Sequence, residues 1–240
     1  MSKLSRFLRA AHELFFPTLC ASCSDVSGGE ALCEACFEKY SAEKKTLCRR
    51  CHLTADSCRC NLPSGFDNVI CGTFYTHYDA SSPRVTERLM YTLKRERRDD
   101  LCEFFAREVA SAVMKHILSH GWKIEDYVIT YIPRSEAALE RYGFDHARLV
   151  AESISHRTGI KLESFFVRNG GAQQKTLTQD ERKRNAESSI VALDGAKCRK
   201  KVLLFDDIMT SGASVTRGAQ LLFSMGAEEV IPTLIARSRQ

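Results

Sequence analysis

The sequence predicts an α/β fold, with a parallel sheet flanked by helices, preceded by a small cysteine-rich module. Eight of the 11 cysteines fall within the first 60 residues. After residue 68, apolar segments of strand character alternate with segments of helical period, which is the repeating unit of a parallel sheet. A turn of small residues follows the most apolar strand and opens a helix. We expect two parts, a module at residues 1–62 and a domain at residues 63–240.

Composition excludes few function classes. The formal net charge of +5 over 240 residues is mild, so it does not by itself indicate a nucleic-acid-binding protein. No apolar run approaches the roughly 20 residues that span a membrane. The N-terminus predicts a short amphipathic helix, with Leu4, Phe7, Leu8, Ala11 and Phe15 at helical spacing. A cytoplasmic location is expected, and there paired cysteines bind metal more often than they form disulfides.

The domain's elements can be predicted in order. Strands are expected at residues 69–78, 128–133, 202–205 and 230–236, where β-branched and apolar residues concentrate. Helices are expected from Ser82 to Lys94, from Asp99 to Ser119, from His146 to Arg157, and from Ser214 to a stop at Gly226. The polar segment 168–188 between them is typical of a binding loop.

The clustered cysteines form two sets of four. The first set is Cys20, Cys23, Cys33 and Cys36, and the second is Cys48, Cys51, Cys58 and Cys60. Cysteines with two residues between them, as in Cys-x-x-Cys, place both sulfurs on one side of a tight turn, which suits tetrahedral zinc. This pattern predicts one or two structural zinc ions, although the pairing could cross between the sets. Four thiolates leave no open position for catalysis.

The most informative segment is the turn at residues 202–216. The apolar strand meets Asp206 and Asp207, and the loop Thr210, Ser211, Gly212, Ala213 and Ser214 then opens a helix. A small-residue loop at a helix start gathers backbone N–H groups that bind a phosphate. Two adjacent carboxylates repel a phosphate but accept hydrogen bonds from neighbouring ribose hydroxyls. A bare Asp-Asp pair fits an ordinary strand–helix turn, whereas the whole pattern favours a ribose 5-phosphate site.

The segment LLFDDIMTSGAS resembles the phosphoribosyl-diphosphate signature of type I phosphoribosyltransferases. This resemblance implies that Asp206 and Asp207 hold the ribose hydroxyls, that residues 210–214 hold the 5-phosphate, and that a hood near residues 66–98 selects the acceptor. Some family members, notably purine-salvage enzymes, carry an aspartate that contacts the base where this chain has Thr210.

Most of the chain is similar to the ComF/ComFC branch, competence-type proteins with a zinc ribbon ahead of a phosphoribosyltransferase domain. The residues that carry this similarity are Lys94, the stretch 141–147, the spacing of Gln174, Leu177, Arg182 and Asn185, and the stretch 226–237. The branch usually has Arg-Gly-Phe-Asn-Gln where this chain has Tyr142, Gly143, Phe144, Asp145 and His146. The resemblance implies a role in DNA uptake during natural transformation.

A diphosphate leaving group requires positive charge and magnesium. The loop Pro133, Arg134 and Ser135 resembles the family's diphosphate loop, and Arg182 could close over it from the polar segment.

Two functions therefore stay open. One is magnesium-dependent transfer of phosphoribosyl from phosphoribosyl diphosphate to an unidentified acceptor. The other is a phosphoribosyl-ligand sensor that binds single-stranded DNA or competence proteins, with Arg95, Arg97 and Arg98 as candidate DNA contacts.

Overall fold

A computed structural model describes residues 15–60, 62–63, 65–75, 84–168, 190–198 and 200–238. The predicted N-terminal helix therefore lies almost wholly outside the described residues, as do Arg182 and nearly all of the polar segment. None of the helices within the described ranges combines the length and apolarity needed to cross a bilayer.

The centre of the fold is a four-stranded parallel sheet in the order β1, β6, β5, β2. Its strands are β1 (Ile70–Tyr75), β2 (Tyr127–Tyr131), β5 (Lys201–Met209) and β6 (Glu229–Ser238). Val202 of β5 pairs with Val128 of β2 on one side and with Val230 of β6 on the other. The predicted α/β fold class is confirmed.

Successive side chains of each strand point to opposite faces of the sheet, so each strand contributes to two cores. Helices cover both faces. Leu203 and Phe205 contribute to one core, with α2 (Val85–Arg95), α3 (Asp99–Ser119) and α5 (His146–Thr158). Val202 and Leu204 contribute to the other, with α6 (Ala213–Ser224). The fully apolar strand predicted here is buried on both faces, as parallel strands are.

Several elements differ from the sequence prediction. β5 does not end at residue 205 but continues through Asp206 and Asp207 to Met209, because its pairing with β6 persists to that point. The helix α1 (Glu34–Lys44), the short helix α4 (Glu136–Tyr142) and an antiparallel pair, β3 (Phe166–Arg168) and β4 (Ile190–Ala192), were not predicted.

The cysteine-rich module packs directly against the domain. Glu43 of α1 accepts hydrogen bonds from the backbone N–H groups of Val85 and Thr86 at 2.8 and 2.9 Å, and from the Thr86 hydroxyl at 2.7 Å. The Thr92 hydroxyl donates to the Ala21 carbonyl at 3.0 Å. The helix α2 is therefore held by the module along its length.

Candidate functional site

The small-residue loop lies at the carboxyl end of β5, where open parallel sheets bind ligands. Gly212 precedes the first residue of α6 and has φ +79°, a left-handed conformation that glycine adopts readily. A β-carbon there would lie 2.5 Å from Cγ of Pro63, in the segment that joins the module to the domain. The loop encloses a small cavity of about 40 Å³, bordered by Asp206 and residues 208–215. The first N–H groups of α6 have no acceptor within the helix, which favours an anion here.

Asp207 is buried and already has partners. Its Oδ2 contacts Nζ of Lys94 at 2.9 Å and Nε2 of His146 at 2.7 Å, and its Oδ1 accepts from the backbone N–H of Ile208 at 2.6 Å. The Nδ1 of His146 is buried and has no hydrogen-bond partner among the described residues. Asp206 is more accessible, and its Oδ1 accepts from the backbone N–H of Asp207 at 2.9 Å.

The two carboxylates have opposite electrostatic environments. Burial, together with the charge of Asp207, raises the pKa of Asp206 to about 8. Burial would also raise the pKa of Asp207, but the charge of Lys94 and the hydrogen bond from His146 hold that pKa well below its usual range. Asp207 is therefore the ionised member of the pair at neutral pH, and Asp206 takes up a proton easily.

In the predicted diphosphate loop, the side chain of Arg134 contacts backbone carbonyls and an aromatic ring instead of extending into solvent. Its guanidinium donates to the carbonyls of Phe144, at 3.1 Å, and of Lys94, and lies 4.4 Å from the ring centre of Tyr142. Its backbone N–H donates to Asp145 at 2.9 Å. Arg134 thus holds the end of α2 through the carbonyl of Lys94, the residue whose ammonium group pairs with Asp207.

An open cleft of about 940 Å³ lies beside this loop. Pro133 borders it, and Ser135 is the residue just before α4. Its lining combines arginines, aromatic rings and three carboxylates: Arg97, Arg134, Arg148, Arg168, Tyr131, Phe144, Phe166, Glu136, Asp145 and Glu152. Arg168 was not singled out from the sequence, yet its charge acts on Asp206 and it donates to the Pro133 carbonyl at 3.4 Å. A lone arginine at the edge of a polar segment gives no signal for such a role.

The cysteines group within each set and do not cross between sets. The sulfurs of Cys20, Cys23, Cys33 and Cys36 lie within 4.8 Å of one another, as do those of Cys48, Cys51, Cys58 and Cys60. A tetrahedral zinc with sulfurs at 2.3 Å requires sulfur–sulfur distances of roughly 3.8 Å. Both sets therefore fit a four-thiolate metal centre. We name them the first and second cysteine clusters.

The two clusters repeat one turn geometry. Ser24 and His52, each following a Cys-x-x-Cys pair, have φ of 66° and 56°. The N–H of each donates to the carbonyl of the first cysteine of its pair, at 3.0 and 3.1 Å. The backbone N–H groups of Ser22 and Arg50 lie 3.4 Å from the sulfurs of Cys20 and Cys48. Backbone N–H groups that donate to a sulfur favour its thiolate form. The N–H of Cys51 is the main cause that lowers the pKa of Cys48 to about 6.

Known proteins resemble this chain along most of its length. The DNA utilization protein YhgH of Escherichia coli O6:H1 strain CFT073 is 25% identical over 231 residues, which cover 90% of this chain and 96% of that protein. The competence protein ComFC of Streptococcus pneumoniae strain R6 is 22% identical over 204 residues, or 82% of each chain. The chain resembles ComFC. The similarity predicted from the sequence motifs is thereby confirmed, while no protein-family model matches.

Two solved structures also resemble the chain. One is the allosteric regulatory enzyme of purine biosynthesis, with TM-score 0.36 and 19% identity, covering 59% of this chain and 29% of that one. The other is a purine phosphoribosyltransferase from Pyrococcus horikoshii, with TM-score 0.35 and 15% identity, covering 57% and 85%.

Proposed function

We propose that the chain binds phosphoribosyl diphosphate at the carboxyl end of β5 and transfers its phosphoribosyl group to an acceptor. The observation that carries this proposal is the acid pair beside the small-residue loop. The loop 210–214 binds the 5-phosphate through N–H groups at the start of α6. Asp206 and Asp207 accept hydrogen bonds from the ribose hydroxyls, and Lys94 and His146 compensate the charge of Asp207.

The donor set fits magnesium that arrives with the diphosphate. A carboxylate offers about four acceptor positions, and Asp207 already uses three of them. Asp206 therefore has more acceptor positions free, and the charge of a bound magnesium ion would favour its ionised form. Magnesium keeps several waters and binds one or two carboxylates together with substrate phosphates. The ion would supply charge neutralisation to the leaving diphosphate, and the cleft that Arg134 lines would accommodate that group. The other candidate, Arg182, lies outside the described residues.

The two cysteine clusters support a second part of the proposal, namely two structural zinc ions. In each cluster four sulfurs could occupy all positions of a tetrahedral shell, so zinc here would stabilise the fold and would not activate water. Such a centre adds its binding free energy to folding in a module too small for a large core.

The transferase proposal is tested by diphosphate release. The protein is incubated with magnesium, phosphoribosyl diphosphate and a pool of bases, amines and single-stranded DNA. Release is expected from the wild type and not from the double variant Asp206→Ala, Asp207→Ala. The control removes two exposed aspartates elsewhere, Asp67→Ala and Asp194→Ala, and should keep full release.

Binding without release would instead favour the sensor. Calorimetry with phosphoribosyl diphosphate and magnesium distinguishes the two, because a sensor loses heat of binding in the Asp206→Ala, Asp207→Ala variant but shows no turnover in either protein. Absence of both binding and release would refute a phosphoribosyl site altogether.

One observation favours single-stranded DNA as a partner of the sensor. The guanidinium of Arg95 lies 4.0 Å from the ring centre of exposed Tyr91, with exposed Arg97 nearby in the chain. Aromatic and arginine planes stack on unpaired bases. Arg98 is less suited than the sequence suggests, because it donates to the Leu19 carbonyl at 2.6 Å and pairs with Asp100.

Fluorescence anisotropy with labelled single-stranded DNA tests this partner. Binding should weaken steeply with salt and on the change Arg95→Gln, Arg97→Gln, as phosphate contacts predict. The matched variant Arg107→Gln, Lys115→Gln removes the same charge from exposed positions of α3 and should bind as the wild type does. Equal losses of DNA affinity in the two variants would show that only the net charge matters and would refute a specific binding surface.

A further inference from the structure

A buried arginine joins the last strand to the second cysteine cluster. Arg237 is 2% exposed and lies near the end of β6, in register with Met209 of β5 and Phe74 of β1. Its guanidinium donates to the carbonyls of Cys58 and Cys60, at 3.0 and 2.6 Å, and contacts the Cys58 sulfur at 3.0 Å. No carboxylate of the described residues lies within ion-pair distance of it.

A buried guanidinium without a counter-charge is strongly unfavourable, because burial removes its hydration. Backbone carbonyls supply dipoles but no charge. Four protonated thiols would also be neutral, whereas four thiolates around a divalent cation carry a net charge of about −2. The second cluster in its metal-bound form is therefore the counter-ion that the position of Arg237 requires.

The first cluster provides a contrast within the same chain. Its Cys20 sulfur is approached by the backbone N–H of Ser22, and Cys23 lies 3.2 Å from the Asp25 carboxylate. Among the residues that the structure describes, no guanidinium donates to a sulfur of this cluster. The two clusters share their turn geometry but differ in the charge beside them.

We propose that Arg237 is the positioning residue that balances the charge of the second metal centre. It helps the cluster to retain its metal and anchors the cluster to the carboxyl end of the sheet, where the candidate ligand site lies. This inference rests on the proposed binding of zinc. Hydrogen bonds to a ligating sulfur orient it, and losing such an outer contact typically lowers metal affinity about 10- to 100-fold. The effect is confined to the second cluster, because only that cluster contacts Arg237.

The test measures zinc release from the full-length, zinc-loaded protein with a chelating indicator. Wild type should contain two zinc ions per chain, and a Cys48→Ser variant assigns the phase that belongs to the second cluster. In Arg237→Gln, that phase should weaken by about 10-fold or more while the first cluster releases as in wild type. Arg237→Lys, which keeps the charge but not the fork, should lie between.

The control is Arg217→Gln. The Arg217 side chain also donates to a backbone carbonyl, that of Ile190 at 3.3 Å, but it has no hydrogen bond to a cysteine of the described residues. Unchanged release from the second cluster in Arg237→Gln, or equal weakening of both clusters, would overturn the inference. If Arg237→Gln does not fold, the same comparison is made with Arg237→Lys and with the sulfur-to-cobalt absorption of the cobalt-loaded protein. Fewer than two zinc ions in wild type would instead refute the two-zinc proposal on which the inference depends.

Discussion

Glu43 of the module caps the first turn of α2 in the domain. Its carboxylate, 15% exposed, accepts two backbone N–H groups and one hydroxyl from Val85 and Thr86, and Arg84 lies 3.8 Å away. In Glu43→Gln the side chain keeps its shape and one acceptor oxygen. It loses its negative charge and presents an NH2 group to a donor.

The cost follows from these contacts. Leaving one buried donor unpaired costs about 1–2 kcal/mol, and removing a negative charge from a helix start costs about 0.5 kcal/mol. We therefore expect Glu43→Gln to lower the free energy of unfolding by about 2 kcal/mol. The helix α2 also carries Lys94 near its other end, so binding of phosphoribosyl diphosphate should weaken as well.

Urea denaturation followed by circular dichroism measures this loss, and the zinc content of each variant is determined alongside. The control is Glu38→Gln on the exposed face of α1, the helix that carries Glu43, and it should change stability by less than about 0.5 kcal/mol. Equal midpoints for the two variants would refute the capping argument. A loss of zinc in Glu43→Gln would assign the effect to the clusters instead.

Two further variants test the ligand site. Gly212→Ala should cost about 1–3 kcal/mol and abolish ligand binding, because it combines a left-handed backbone with a contact 2.5 Å from Pro63. Gly195 has a similar φ of 70° and open space around an added β-carbon, so Gly195→Ala measures the backbone cost alone. An equal loss of stability in the two variants would refute the contact with Pro63. The pKa of Asp206 in the folded chain, about 8, lies above its value in the unfolded chain. Between about pH 4 and 8 the folded chain therefore keeps a proton that the unfolded chain has released, and the free energy of unfolding falls as pH rises. Asp206→Asn should remove this fall in denaturation measurements across pH, and an unchanged slope would contradict the shift.

Local sequence pattern predicted the four strands of the parallel sheet, most helices and the acid pair near the end of β5, because each depends on residues close in the chain. The grouping of the cysteines within sets was left open, since spacing alone does not fix which pairs meet. The partners of Asp207 were not predicted. Lys94 and His146 belong to other helices, and only the packing of α2 and α5 on the sheet brings them to one carboxylate. The sequence identifies His146 only as the start of a helix, and its contact with Asp207 gives no periodic signal.

The attachment of α2 to the module couples two binding equilibria, that of metal in the module and that of ligand at the candidate site. Because Glu43 and Ala21 hold the helix that presents Lys94 to Asp207, we expect metal that orders the module to raise the affinity for the proposed phosphoribosyl ligand. The converse follows by linkage: bound ligand must raise the affinity for metal by the same factor. A cell short of zinc would then keep the ligand-bound molecules intact longest.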